Sequence, residues 1–237
     1  MKVTIVGSGY VGLVTGTCLA EFGHDVLCVD IDEAKIKALE AGEIPIYEPG
    51  LEELVHHNQE QGRLHFTTDI KEGIQFADIL FNAVGTPLDK DHNADLSAVK
   101  TVARSFGQNV QKHTVFVNKS TVPVGGNQEV AEIIKGALKE RDIPGNEAKD
   151  YFSIVSNPEF LREGVAIKDF LEPTRIIIGV EDEKAQKIMK KLYQSLITKG
   201  YPFFVTDLRS AEIIKYAANA FLATKISFIN EIANFCT

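Results

Sequence analysis

Two pairs of residues stand at spacings that suit chemistry. Lys215 and Asn219 are four apart in Lys215-Tyr-Ala-Ala-Asn219, and Glu159 and Glu163 are four apart in Ser156-Asn-Pro-Glu159-Phe-Leu-Arg-Glu163-Gly164. On a helix that spacing brings an amine and an amide to one face. Burial there lowers a lysine's pKa, which suits it to an alcohol undergoing oxidation, and the amide holds a water or a substrate hydroxyl. One helical turn through the acidic segment would align its carboxylates, and their repulsion would raise one pKa. The plain alternatives are an exposed helix lysine and a solvated acidic turn. Together the amine, the amide and the carboxylates describe an enzyme acting on a polar substrate.

These groups need a framework that gathers distant segments. Apolar runs of strand length alternate with helical patterns, beginning with strands at residues 3–6 and 26–30 around a helix at 11–22. Further strands are expected at 79–84, 114–118, 152–155, 175–180 and 203–205. Helices are expected at 33–40, 51–59, 96–110, 128–141, 183–196 and from 208 onward. Near-continuous apolar strands fit an α/β fold with a mostly parallel sheet covered on both faces. Residues 42–50 hold two prolines and two glycines and read as an ordered loop before a helix, while the polar run 89–95 reads as a surface loop. The last helix, capped by Thr206 or Asp207, shows no stop signal before Thr237 and carries apolar residues on more than one stripe. The natural chain is therefore expected to continue, with Phe221, Phe228 and Ile232 meeting a second domain or a second subunit in a homodimer.

Gly7-Ser-Gly9-Tyr-Val-Gly12 follows the first strand and opens the first helix, the context of a dinucleotide fingerprint. Gly7 permits the tight turn, Gly9 lets the pyrophosphate approach, and Gly12 lets helix and sheet close up. Asp30, ending the second strand, supplies an acceptor for a ribose 2′-hydroxyl. A carboxylate there repels a 2′-phosphate, so NAD is favoured over NADP. Lys35, one turn into the next helix, softens that discrimination if it meets a phosphate. Val84-Gly-Thr86-Pro and Lys119-Ser120-Thr121 each follow a strand, which places Thr86 and Thr121 at the sheet's carboxyl edge as candidates for cofactor or water contacts, or as plain turn residues before proline.

Bulk properties narrow the partners. A chain of 237 residues with 44% hydrophobic content can bury a core, and a net charge of −8 argues against a general affinity for nucleic acid. No run is long enough to span a bilayer and no signal-like stretch opens the chain, so the cytoplasm is expected. Cys18, Cys28 and Cys236 have neither CxxC nor CxxH spacing, and no disulfide framework or metal site is expected.

In their order along the chain, these motifs resemble the UDP-glucose/GDP-mannose dehydrogenase family. The resemblance runs through Gly7-Ser-Gly-Tyr-Val-Gly12, Ile46-Tyr-Glu-Pro-Gly-Leu51, Val84-Gly-Thr-Pro87, Lys119-Ser-Thr-Val-Pro123, Ser156 to Gly164 and Lys215-Tyr-Ala-Ala-Asn-Ala-Phe-Leu222. It implies a Rossmann-like, doubly wound NAD-binding domain over 1–205 and the start of a long central dimerisation helix over 206–237. The implied activity is oxidation of a nucleotide sugar's C6 alcohol to a carboxylate in two hydride transfers, with two NAD molecules used in succession and a cysteine thioester on the way. UDP-glucose is favoured, with GDP-mannose or an N-acetylated UDP-sugar as alternatives. The resemblance further implies that Glu163 and Thr121 sit beside nicotinamide and a catalytic water, that Glu159 assists hydrolysis, and that Lys215 and Asn219 stabilise the developing oxyanion. Phe160, Leu161, Arg162 and Glu163 would line the sugar nucleotide. Gly7, Gly9, Tyr10, Val11, Gly12, Asp30, Lys35, Val84, Thr86 and Ser120 would contact NAD. The family's nucleophilic cysteine lies in a glycine-rich loop beyond the central helix, and none of the three cysteines here has that setting. This chain is therefore expected to bind NAD without completing the four-electron oxidation. A β-hydroxyacid or 6-phosphogluconate type dehydrogenase and an NAD-sensing module are the competing readings; neither uses all of Glu159, Glu163, Lys215 and Asn219.

Overall fold

The chain folds around one eight-stranded sheet in a computed structural model that describes residues 1–236; Thr237 lies outside the described residues. Its strands are β1 (Lys2–Val6), β2 (Asp25–Val29), β3 (Leu64–Thr67), β4 (Ile79–Asn82), β5 (Thr114–Asn118), β6 (Phe152–Ser156), β7 (Ile176–Val180) and β8 (Phe203–Thr206). They lie in the order β3-β2-β1-β4-β5-β6-β7-β8, and every neighbouring pair is parallel except β6 with β7. This is the mostly parallel sheet that the alternating pattern implied, in the doubly wound, Rossmann-like arrangement that the family resemblance implied.

Side chains leave alternate faces of each strand, and both faces are covered by helices. On one face Val3, Ile5, Cys28, Phe81, Val117 and Ile178 pack with α1 (Tyr10–Glu21), α3 (Leu51–Glu60), α7 (Ala166–Leu171), α8 (Glu183–Leu192) and α9 (Gln194–Thr198). On the other, Val6, Leu27, Leu80 and Phe116 pack with α4 (Ile70–Phe76), α5 (Ser97–Asn109) and α6 (Gly126–Lys139), where the Phe106 and Phe116 rings meet edge to face. Burying a large side chain on either face stabilises the fold by about 1.5–3 kcal/mol.

Four features differ from the pattern read in the sequence. β3 and α4 occupy residues that carried no assignment, and α7 follows the acidic segment. The expected helix over 183–196 breaks at Tyr193, whose hydroxyl turns inward to Asn157 Oδ1 at 2.7 Å. α2 (Glu33–Glu40) and the polar loop at 89–95 stand where they were expected.

Register explains how distant motifs converge. Val6 lies opposite both Val29 and Asn82, Asn82 opposite Asn118, and Asn118 opposite Ser156. The segments that follow β1, β2, β4, β5 and β6 therefore all emerge at one rim of the sheet, where ligands of open α/β sheets bind. β8 ends at Thr206 opposite Gly179, itself opposite Ser156, so α10 (Leu208–Phe235) starts at the level of that rim. Asp207 caps it by accepting from Ser210 N–H at 2.9 Å.

One buried carboxylate fastens α10 to the rest. Glu212 accepts from Gly125 N–H at 2.6 Å, Asn127 N–H at 2.8 Å and Asn127 Nδ2 at 2.7 Å. Gly125 has a left-handed φ and no side chain to cap α6, so Glu212 satisfies the first amides of that helix and complements its dipole. Truncation would leave two amides without an acceptor in a desolvated place. Glu212→Ala is expected to lower the unfolding free energy by about 2–4 kcal/mol, read as a lower urea midpoint at constant m-value; a loss under ~0.5 kcal/mol, the usual range for surface changes, would refute the capping role.

Candidate active site

The glycine turn is shaped by close approach. Gly7 has φ near +98°, and a Cβ on Gly12 would sit 1.8 Å from the Gly7 carbonyl oxygen, so neither position accepts a side chain. Gly9 is the opposite case, since a Cβ there meets nothing within 4 Å, and α1 begins beside it with no side-chain cap. Open space over a helix N-terminus fits a pyrophosphate. Asp30 stands next to the turn, its Oδ2 accepting from Ser8 N–H and Lys35 Nζ at 2.8 Å each and its Oδ1 from Asp32 N–H at 3.1 Å. Burial alone would push its carboxyl up, but Lys35 and the two amides outweigh that and hold it below the usual carboxylate range. Tyr10 and Val11 open α1, half-buried. The residues present therefore fit a dinucleotide with a free ribose hydroxyl.

Beyond β6 a second cluster forms. Lys215 comes from α10, is buried, and donates to Glu159 Oε1 at 2.5 Å and to the Glu159 carbonyl at 2.8 Å. A cleft of about 370 Å³ opens over this pair, with Phe160, Leu161, Arg162 and Asn219 along its walls. Thr121 lines an adjoining hollow with Lys119, Glu212 and Lys215. Ser120 is committed elsewhere: its hydroxyl donates to the Val84 carbonyl at 2.7 Å and ties the ends of β4 and β5 together. Thr86 is half-buried in the segment after β4, and Glu163 is exposed, lying on the Tyr10 side of its segment rather than along the cleft.

The expected helical turn through Glu159 and Glu163 does not form, and the two carboxylates do not share a face. Residues 157–162 are irregular because Pro158 disfavours the helical region for Asn157, Leu161 N–H bonds to Glu159 Oε2 at 2.7 Å, and Gly164 turns with a left-handed φ. Glu159 thereby faces the amine and Glu163 the solvent. Arg162 is also exposed, held bidentate by Asp169 at 3.0 and 2.7 Å.

Sequence reasoning passed over two cations. Lys119 is buried between the cleft and the hollow, with Nζ 3.3 Å from Asn157 Oδ1 and 3.5 Å from the Asn157 carbonyl. Burial, with help from Lys215 and against the pull of Glu159, pushes its amine down to about 8. Arg175 stacks its guanidinium 4.1 Å over the Phe160 ring. The signal for Lys119 was its place directly after an apolar strand, where only tertiary packing reveals burial. The cleft thus gathers two buried lysines around one carboxylate, a setting that favours negative charge developing on a bound oxygen.

The cysteines stand apart from this chemistry. Cys18 and Cys28 lie in the core with thiols pushed up by burial, Cys28 to about 12, and Cys236 is exposed at the end of α10. Among the described residues there is no group of three or more potential metal ligands, and no helix is long and apolar enough to cross a membrane.

Comparison with known proteins agrees with this geometry. Residues 1–197 match the NAD binding domain of the UDP-glucose/GDP-mannose dehydrogenase family, and residues 209–237 match that family's central domain. The UDP-glucose 6-dehydrogenase of Rhizobium meliloti (strain 1021) is 52% identical over 239 residues, covering 100% of this chain and 53% of the relative. A UDP-glucose dehydrogenase structure from Pyrobaculum islandicum superposes with a TM-score of 0.88 at 40% identity, covering 98% of this chain and 52% of that one. A GDP-mannose dehydrogenase structure from Pseudomonas aeruginosa gives 0.90 at 36% identity, covering 98% and 52%. The chain spans about half the length of the curated relatives it matches. A glycine turn beside a buried carboxylate, a rim that collects the polar segments, and matches to two consecutive domains of one family establish that this chain belongs to the UDP-glucose/GDP-mannose dehydrogenase family.

Proposed function

We propose that this chain is the NAD-binding portion of a dehydrogenase that oxidises the C6 alcohol of UDP-glucose to the carboxylate of UDP-glucuronate. The observation that carries this reading is the Lys215 amine, brought by α10 onto Glu159 at 2.5 Å inside a polar cleft at the sheet's ligand-binding rim. NAD supplies the acceptor for the hydride. Residues 1–205 form the cofactor unit in this proposal, and 206–237 begin a central helix that pairs with a second copy through its exposed Phe221, Phe228 and Ile232. A cytoplasmic enzyme feeding polysaccharide biosynthesis is the setting that fits such a product.

In this proposal each residue has a role. Asp30 accepts from a ribose hydroxyl, and the turn from Gly7 to Gly12, with Tyr10 and Val11, receives the pyrophosphate over open backbone. Lys35 neutralises Asp30 and limits its repulsion of a 2′-phosphate. Val84, Thr86 and Ser120 shape the rim beside the nicotinamide end. Lys215 holds the substrate oxygen as it gains charge, Asn219 adds a neutral donor one turn along, and Glu159 fixes the amine in place. Thr121 offers its hydroxyl to a water in the hollow beside Lys119 and Lys215, Glu163 meets bound nucleotide only from the Tyr10 side, and Phe160, Leu161 and Arg162 border the sugar nucleotide. Neither core thiol can act as the nucleophile of a thioester route, since each is buried and protonated at neutral pH.

Calorimetry and turnover test the proposal. Calorimetry on the 237-residue chain is expected to show NAD binding at least tenfold tighter than NADP, with Asp30→Ala erasing most of the difference; equal affinities in the parent chain would count against the ribose assignment. Mixed with UDP-glucose and NAD, this chain should give no steady rise of NADH absorbance. A chimera joining it to the remaining half of the Rhizobium relative should turn over, and Lys215→Met should cut its kcat about 10²–10³-fold, whereas an unaffected kcat would remove the amine from the chemistry.

Protonation of Lys119 sets a separate expectation, for stability. Its folded pKa of about 8 lies below that of the unfolded chain, so between pH 8 and the ordinary lysine range the unfolded state binds more protons. Stability contributed at this site therefore rises with pH through that interval and is lowest at neutral pH, where the buried amine is charged. Lys119→Met should raise the urea midpoint at pH 7 and abolish the site's share of the alkaline rise. A variant less stable than the parent at pH 7 with an unchanged pH difference would contradict this.

A further inference from the structure

Glu48 has no part in the roles above, yet it is a buried carboxylate whose two oxygens accept from four donors. It lies in the loop 42–50 between α2 and α3, 5% exposed, with its carbonyl accepting from Leu51 N–H at the start of α3. Its Oε2 accepts from the Tyr10 hydroxyl and from Gly164 N–H at 2.8 Å. Its Oε1 accepts from Ala166 N–H at 2.7 Å and Ile167 N–H at 3.4 Å. The Tyr10 hydroxyl also receives Gly164 N–H at 3.2 Å, closing a three-membered network. Burial would push this carboxyl up, but the Tyr10 hydroxyl and the three amides outweigh it and hold it low. Burial and the Glu48 carboxylate together push the Tyr10 phenol up to about 12.

The partners of Glu48 are the edges of two functional segments. Tyr10 directly follows Gly9, the open position of the glycine turn, and is the first residue of α1. Gly164 directly follows Glu163, and Ala166 opens α7, whose Asp169 grips Arg162 and whose Phe170 lies 6.5 Å from the Tyr193 ring under the cleft. We infer that Glu48 is a positioning residue that joins the glycine turn to the segment carrying Glu159 and Glu163, so that a dinucleotide seated on the turn stiffens that segment through Tyr10 and Glu48. The inference rests on the proposed NAD reading for the identity of the ligand. A carboxylate is required because four donors converge on two oxygens; an amide offers one acceptor and turns a donor toward the others. A purely structural Glu48 would hold the segment equally with and without nucleotide.

That difference is measurable without catalysis. Hydrogen–deuterium exchange at the Gly164, Ala166 and Ile167 amides is followed in the 237-residue chain, alone and at saturating NAD, beside calorimetric titration. In the parent, NAD should slow exchange of these amides about tenfold. Tyr10→Phe keeps the ring and leaves Glu48 its amides, so nucleotide-free exchange should stay near the parent's while the slowing by NAD is lost. Glu48→Gln should speed exchange in both states and weaken NAD about five- to tenfold. Equal slowing by NAD in the parent and in Tyr10→Phe overturns the coupling while leaving NAD binding intact. No slowing in a parent that binds NAD does the same. Absence of any NAD binding by the parent overturns the dinucleotide reading and the coupling together.

Discussion

An amine taken out of water must meet a partner, and in this molecule the partner comes from a different element than the amine. Lys215 rides on α10, whereas Glu159 sits on the irregular segment after β6, and their contact at 2.5 Å exists only because the helix starts at the height where the strand ends. Leaving either group alone in that setting would cost several kcal/mol, because a buried charge without its counter-ion keeps the full desolvation penalty. The sheet register that brings Gly179 opposite Ser156, and Thr206 opposite Gly179, is thus the condition for the site. Glu212, one turn before Lys215, fastens the same helix to α6 and stops it from sliding along its axis.

The second buried lysine changes what the first can do. Lys119 and Lys215 flank Glu159, so the cluster carries more positive than negative charge when both amines are protonated. A lone ion pair would be electrically closed to a ligand; an extra cation leaves it open to one. Lys119 is buried and its hydrogen bonds go to two neutral oxygens of Asn157, so its charge is the more expensive of the two to keep and its pKa moves down. The expense is local and offset by packing on both faces of the sheet, a common bargain where a protein holds strained electrostatics for function.

Much of this was legible in the sequence, and the misses have physical causes. Long apolar strands and the Gly7 to Gly12 turn announced themselves because burial on both faces and close helix approach leave few residue choices. β3 did not, since an edge strand of four residues alternates buried and exposed positions and offers no continuous run. Glu159 and Glu163 were visible as chemistry but misread as a helical pair, because a single proline and a side-chain bond to Leu161 N–H redirect the backbone. Glu48 appeared inside a recognisable motif, yet its partners include backbone amides more than a hundred residues downstream, and a backbone amide has no letter in a sequence.

α10 shows why one helix reads as inconsistent when taken as a single element. Its buried residues, Leu208, Ala211, Glu212 and Lys215, all fall in the first two turns and follow the spacing of a helix pressed against one surface. Beyond them Phe221, Leu222, Ile226, Phe228, Ile229, Ile232 and Phe235 are exposed around more than one stripe. Apolar side chains in that number gain nothing from water, and a 28-residue helix is about 42 Å long at 1.5 Å per residue, well past the edge of the sheet. The first part is therefore specified by packing within this fold, while the second is exposed along its length. Because the amine sits at the junction of the two, a tilt of the exposed half by a few degrees would move Lys215 against Glu159, so the site's geometry depends on the attitude of the whole rod.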